Sequence, residues 1–151
     1  MSHPLTAEAL RGLLDYSVVS GRFYWKATGL RAGGDSGIYS RISVDGVRHY
    51  SHRLAFLWVT GTFSKYVDHV NLDKKFNAWV NLREASNAEN AWNTRNRGTL
   101  KGVAFLLGKY RAQVRAGAKR HYGTMRNTAE EAYADACRLR EELHGSFANH
   151  G

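Results

Sequence analysis

The chain has 151 residues, is 43% hydrophobic, and carries a formal net charge of +9 with an isoelectric point near 9.9. That length supports one domain or two small ones, and the charge makes nucleic acid the default polyanionic partner, beside the plainer reading of a protein that is merely basic. A single cysteine, Cys137, excludes an internal disulfide and a Cys-based zinc site. No apolar run approaches the roughly 18 residues of a membrane span, and MSHPLTAEALRGLL lacks the basic and apolar regions of a signal peptide. The expected location is the cytoplasm, with no membrane partner.

In chain order, Thr6 reads as an N-cap, Glu8 falls in the first turn, and Leu10, Leu13 and Leu14 form a short apolar stripe, which predicts a first helix. GRFYWK predicts a strand and GLRAGGDSG a glycine-rich loop. RISVDGVRHYS sets Asp45-Gly46 between two alternating runs, a strong hairpin signal. HRLAFLWVTG has Leu54, Ala55, Leu57 and Trp58 at helical spacing and predicts a short core helix stopping at Gly61. YVDHV then predicts a strand, followed by a polar loop through Asn77, an extended NLREA, and a helix opened by the Ser86/Glu89 capping box, with Asn90 near its start.

From Arg95 to Asn127 there are nine Lys or Arg and no Asp or Glu. In KYRAQVRAG, Tyr110, Ala112 and Val114 alternate with Arg111, Gln113 and Arg115, so one side of a strand is buried and the other is basic. KRHYGTM reads as its partner after an Ala116-Gly117 turn. Thr128 and Glu131 form a second capping box, ahead of a helix whose apolar face is Ala132, Tyr133, Ala136, Leu139 and Leu143. The sum is an α+β chain ending in a three-stranded sheet backed by one helix, with a linker over Asn93 to Thr99.

Tyr66 to Asn93 holds six asparagines around one Asp-His pair. Hydrolysis of a phosphodiester needs a base near neutral pH, a cation on the phosphate, and groups that align both. His69 suits the base. Asp68 suits a hard divalent ion that keeps its waters, completed by a carboxamide oxygen and the substrate phosphate. On a regular strand Asp68 and His69 point to opposite faces, so one shared site requires a bend or distortion there. Asn81 and Asn90 are the candidates for orienting the base and completing the metal site. The plainer reading of Asp68-His69 alone is a surface ion pair. Asn71, Asn77 and Asn87 read as loop or cap residues, and Trp58, Trp79 and Trp92 as core. His52 and Arg53 suit either a phosphate contact or a structural role at a helix start; His49, His121 and His144 carry no assigned chemistry.

DHVN followed by NLREASNAEN resembles the HNH nucleases, whose site is a ββα-metal (His-Me finger) unit. YSHRLAFLWVTG is similar to a stretch that precedes the motif in many phage and intron-encoded members. KGVAFLLGKYRAQVRAGAKRHYGTMRNTAEEAYADA resembles the APETALA-type DNA-binding module often fused to them. The likeness covers roughly residues 5 to 147. It implies a nuclease domain over 1–94, with its ββα core at about 64–96, and a DNA-binding domain over 99–147. It makes Asp68 a metal ligand, His69 the general base, Asn81 the asparagine that orients the base, and Asn90 a ligand at the third motif position. Leu72 stands where the family often has Gly, and Phe76-Asn77 where it often has Asp-Asn.

The activity implied is magnesium- or manganese-dependent cleavage of double-stranded DNA, leaving a 5′ phosphate and a 3′ hydroxyl. The acting form would be a monomer or a homodimer on DNA, of phage homing type and so active in the host cytoplasm. Arg95, Arg97, Lys101, Lys109, Arg111, Gln113, Arg115, Lys119 and Arg120 are the candidate DNA contacts, to phosphates or base edges. Two other classes stand beside this one: a DNA-binding protein with a decayed nuclease site, and an RNA-binding or RNA-cleaving protein. Against the second, KYRAQVR shows no exposed aromatic pair for stacking.

Overall fold

A computed structural model of the chain describes residues 5–35, 37–93 and 100–150. Arg95, Arg97 and the expected linker beyond Asn93 lie outside the described residues. The chain is mixed α+β and divides into two compact units, Met1–Ala85 and Ser86–Gly151. The division falls before the third helix, so that helix belongs by its contacts to the second unit.

In the first unit, the Thr6 hydroxyl accepts from the Ala9 N–H and opens α1, Ala7–Leu13. Leu14 caps α1 and begins β1, Leu14–Tyr16, which buries its first and third residues. β1 pairs antiparallel with β2, Phe23–Trp25, and β2 with β3, Arg31–Ala32. β3 lies where a loop was expected: two residues beside glycines carry no readable period, and the strand is defined by its partner and by the burial of Ala32. The hairpin of β4, Arg41–Val44, and β5, Val47–Tyr50, forms as expected. Asp45 and Gly46 take φ of 49° and 78°, the left-handed pair a two-residue turn requires.

α2, Ser51–Thr60, ends on Gly61, whose N–H donates to the Leu57 carbonyl. Leu10, Leu14, Phe23, Ile42 and Leu54 are the most deeply buried large side chains and join α1, β1, β2, β4 and α2 in one core. At roughly 1.5–3 kcal/mol for each such side chain, this core holds the frame on which the next hairpin sits. That hairpin is β6, Val67–His69, paired antiparallel with β7, Leu82–Glu84.

The second unit contains α3, Asn87–Trp92, opened by the expected Ser86/Glu89 box. β8, Val103–Leu106, β9, Lys109–Ala116, and β10, Lys119–Arg126, form an antiparallel sheet with β9 in the middle. The β9–β10 turn runs over Gly117 and Ala118, one residue later than expected. α4, Ala129–His144, starts at the Thr128/Glu131 box and packs Ala136, Leu139 and Leu143 against Ala112 and Val114. Gly123 lets the helix approach, since a Cβ there would lie 2.9 Å from the Ala112 Cβ and 3.3 Å from that of Asp135.

Polar groups close the gaps left by so small an apolar core. Buried Asp135 accepts from Arg126 Nε at 2.7 Å and Nη2 at 3.0 Å, and also from Arg138, while the Arg140 guanidinium donates to the Lys101 carbonyl. Apart from the i,i+3 pair of Asp135 and Arg138 within α4, neither arrangement shows in the sequence, because Arg126 is brought in by β10 and Lys101 by the segment leading into β8.

Candidate functional site

Asp68 and His69 are both buried, at 5% and 4% exposure, so the pair is not a surface ion pair. The β6–β7 ladder shows no register shift: Asp68 stands opposite Arg83 and His69 opposite Leu82. The distortion needed to aim both side chains to one face is therefore absent from the pairing. Arg83 Nε and Nη2 donate to one Asp68 carboxylate oxygen at 2.9 and 2.8 Å. The carboxylate still acts on the imidazole electrostatically, favouring its protonated form.

The asparagines explain themselves as staples of the loop between the strands. Asn81 Oδ1 accepts from the Asn71 N–H at 2.9 Å, and its Nδ2 donates to the Phe76 carbonyl at 2.7 Å. Asn71 and Asp73 cap the Asp73 and Lys75 N–H groups in turn. Leu72 takes φ 64°, a conformation glycine favours, at the position where the resembled family often has Gly.

A side chain hydrogen-bonded to the His69 ring is Asn77, whose place in the sequence is that of a loop residue. His69 Nε2 lies 2.9 Å from Asn77 Oδ1, and Asn77 Nδ2 donates to the Lys75 carbonyl. That second bond turns the amide oxygen toward the ring. Nε2 then carries the proton and donates to that oxygen. Asn81 bonds to the loop carrying Asn77, and the ring bond is made by Asn77.

Burial lowers the His69 pKa; the Asn77 bond, Asp68 and Asp73 oppose this, and Lys74 adds to it. On balance the neutral ring is favoured. His52, the second residue of α2, is 7% exposed and sets its ring edge-on to His69 with centroids 5.0 Å apart. Tyr50 stacks on it at 5.5 Å and Tyr39 packs at 5.4 Å. Burial, His69 and Arg53 push its pKa down to about 3, and its Nδ1 is buried with no hydrogen-bond partner. Arg53 Nε donates to the Ser64 carbonyl, and its guanidinium covers Phe63.

The segment bearing Asn77 is held from the N-terminal sheet. The Tyr16 hydroxyl, its pKa raised by burial, donates to the Asn77 carbonyl at 2.7 Å, and the Trp79 N–H donates to the Val18 carbonyl at 2.9 Å. Tyr16, Asn77 and Arg83 are not among the site residues expected from the sequence, and His52 is expected there only as a phosphate contact or a structural residue. Only Arg83 had a usable signal, the antiparallel register of YVDHV against NLREA.

Among the described residues, no three His, Cys, Asp or Glu side chains are grouped to hold a metal ion. The Asp68 carboxylate is the donor type a hydrated hard ion would take, and Arg83 already engages one of its oxygens, so an ion there would compete with Arg83. Arg83→Gln is expected to lower stability by roughly 2 kcal/mol, less than for a fully buried pair because Arg83 is partly exposed. It should also enlarge the melting-temperature gain on adding manganese. Thermal melts with and without the ion check this, and equal gains in both proteins would remove Arg83 as a competitor.

Asn90 lies on α3 in the second unit and is exposed. On the sheet of that unit, the register puts Lys109, Arg111, Gln113, Arg115, Arg120 and Tyr122 on the face away from α4. The Arg111 guanidinium covers the Tyr122 ring at 4.3 Å, and its Nε is buried without a partner. Tyr122, 51% exposed, supplies an aromatic on the face of Arg111 and Gln113, whereas Tyr110 of β9 lies on the opposite face. Lys119 is exposed at the hairpin end, whereas Lys101 is half-buried, with its pKa lowered by burial and by Arg140. His144 is buried, stacks on Trp92 at 4.2 Å, and places Nε2 2.9 Å from the Arg115 carbonyl.

Fold and site together describe an α+β chain with a buried Asp-His hairpin in one unit and a basic sheet in the other. Over 89 residues it is 36% identical to Protein 3.8 of Escherichia phage T7, a match that covers 55% of this chain and 73% of that protein; the chain belongs to the Protein 3.8 family. No family model matches it, and no solved structure does. Among the described residues no helix is long and apolar enough to cross a membrane.

Proposed function

We propose that the protein is a metal-dependent endonuclease of the HNH, ββα-metal type, which hydrolyses phosphodiester bonds of double-stranded DNA. The observation that carries this reading is His69: a buried imidazole whose neutral form is favoured by burial and whose Nε2 is engaged by Asn77, the environment a general base needs. His69 takes a proton from the attacking water. Asp68 holds magnesium or manganese, which when bound offsets charge on the phosphate and the leaving 3′ oxygen. On the motif alone, Asn90 adds a carboxamide oxygen.

The open face of β9 and β10, resembling an APETALA-type module, meets phosphates through Lys109, Arg115 and Arg120, and base edges through Arg111 and Gln113. The phage relative supports a phage origin; the enzyme is of homing type and acts in the host cytoplasm, as a monomer that nicks or as a homodimer that cuts both strands. The competing reading, a DNA-binding protein without cleavage, draws support from the Arg83 bond that occupies Asp68.

Conversion of supercoiled plasmid, including DNA that carries the source genome's target, decides between them. The wild type is expected to nick with magnesium or manganese. His69→Ala is expected to lose at least about a hundredfold in rate, the scale of a general base, and EDTA to abolish nicking. Intact plasmid in every lane, with retention on a gel, would leave the binding reading.

A further inference from the structure

We infer that the turn between β8 and β9 is an apolar wedge for duplex DNA, with Leu107 as the tip that enters a base step. The inference rests on the DNA-binding half of the proposed function and is independent of cleavage. Leu107 is 88% exposed, more than any other large apolar side chain among the described residues, and Phe105 and Leu106 before it are 66% and 43% exposed. Three consecutive apolar side chains therefore face water on one hairpin.

The backbone sharpens the point. Leu107 and Gly108 take φ of 52° and 76°, nearly the angles of Asp45 and Gly46 in the other two-residue hairpin turn, 49° and 78°. Asp45 is a residue type that tolerates the left-handed region, while leucine is disfavoured there. Neither burial nor turn geometry accounts for a leucine at this position. A side chain that is unfavourable in both conformation and solvation fits a contact made outside the chain.

The surroundings of the turn identify the partner. Lys109 pairs directly with Leu106, and Arg111 follows on the same face. No Asp or Glu occurs between Arg95 and Asn127. The partner is anionic at its rim and apolar within, as a duplex is when a side chain parts two stacked base pairs. An anionic lipid surface shares those two properties. The planar donors of Arg111 and the amide of Gln113 on the same face match base edges, and lipid offers them no equivalent.

Relaxation of plasmid by a magnesium-independent topoisomerase, in EDTA so that no nicking intervenes, tests the wedge. Leu107→Asn suits the left-handed turn, so its melting temperature should equal or exceed that of the wild type. Bound wild type is expected to unwind the plasmid and shift the topoisomer distribution, and Leu107→Asn to leave it unshifted while binding roughly tenfold more weakly. Wild type that is retained on DNA without unwinding it, or a variant that unwinds equally, overturns the wedge and leaves the proposed function standing. Failure to bind DNA at all overturns both. Leu107-dependent binding to phosphatidylserine vesicles without unwinding would assign the tip to lipid and also overturns the inference.

Discussion

Gly21→Ala is expected to destabilise the first unit by roughly 3 kcal/mol, a fall in melting temperature on the order of 10 °C. Gly21 has φ 72°, and a Cβ on it would lie 2.1 Å from the Asn77 carbonyl carbon, 2.2 Å from the Ala78 nitrogen and 2.6 Å from the Asn77 oxygen. These are backbone atoms, so no side-chain rotation relieves the overlap. The segment cannot move freely either, since the Tyr16 hydroxyl and the Val18 carbonyl tie it at Asn77 and Trp79. Any shift that does occur moves Asn77, whose amide oxygen lies 2.9 Å from the His69 ring. Nicking should therefore fall further than the loss of folded protein explains, measured well below the variant's melting temperature. Gly46→Ala is the control: it shares a positive φ but meets nothing within 4 Å, and should lose only about 1 kcal/mol. Equal losses in the two variants would mean that the close approach of Gly21 to Asn77 does not matter.

That dependence marks the boundary of what the sequence discloses. Elements defined by local chemistry are legible: the Thr6, Ser86 and Thr128 caps, the Asp45-Gly46 turn, the stop at Gly61, and the alternation along β9. The two-residue β3 is not, because its identity comes from β2. The candidate site divides in the same way. His69, Asp68 and Asn81 are visible as a spaced pattern, and Asn81 anchors the loop through bonds to Asn71 and Phe76. Asn77 reaches His69 only because that loop is folded and docked on the first sheet. Arg83 and His52 reach the pair through strand register and through the placement of α2, two relations that no local spacing encodes.

His52 also makes the first unit sensitive to acid. Unfolded, it titrates as an ordinary histidine; folded, burial and the neighbouring His69 and Arg53 hold its pKa down to about 3. Below about pH 6.5 the unfolded chain takes up a proton that the folded chain refuses, so stability falls as pH falls, by up to about 1.4 kcal/mol per pH unit. His69 and His49, both also shifted down mainly by burial, add to the same slope. Between pH 7 and pH 4.5 the His52 share is roughly 2 kcal/mol. His52→Phe keeps a ring between Tyr50 and Tyr39 and removes the unpartnered Nδ1, so at pH 7 it should be as stable as the wild type or more so. Urea midpoints across this range should fall steeply for the wild type and less steeply for the variant, the two curves diverging toward acid. Parallel curves would mean that His52 is not held neutral by the fold. Diverging curves with undiminished nicking at pH 7 would confine His52 to packing, whereas loss of nicking in a variant this stable would place its ring in the chemistry beside His69.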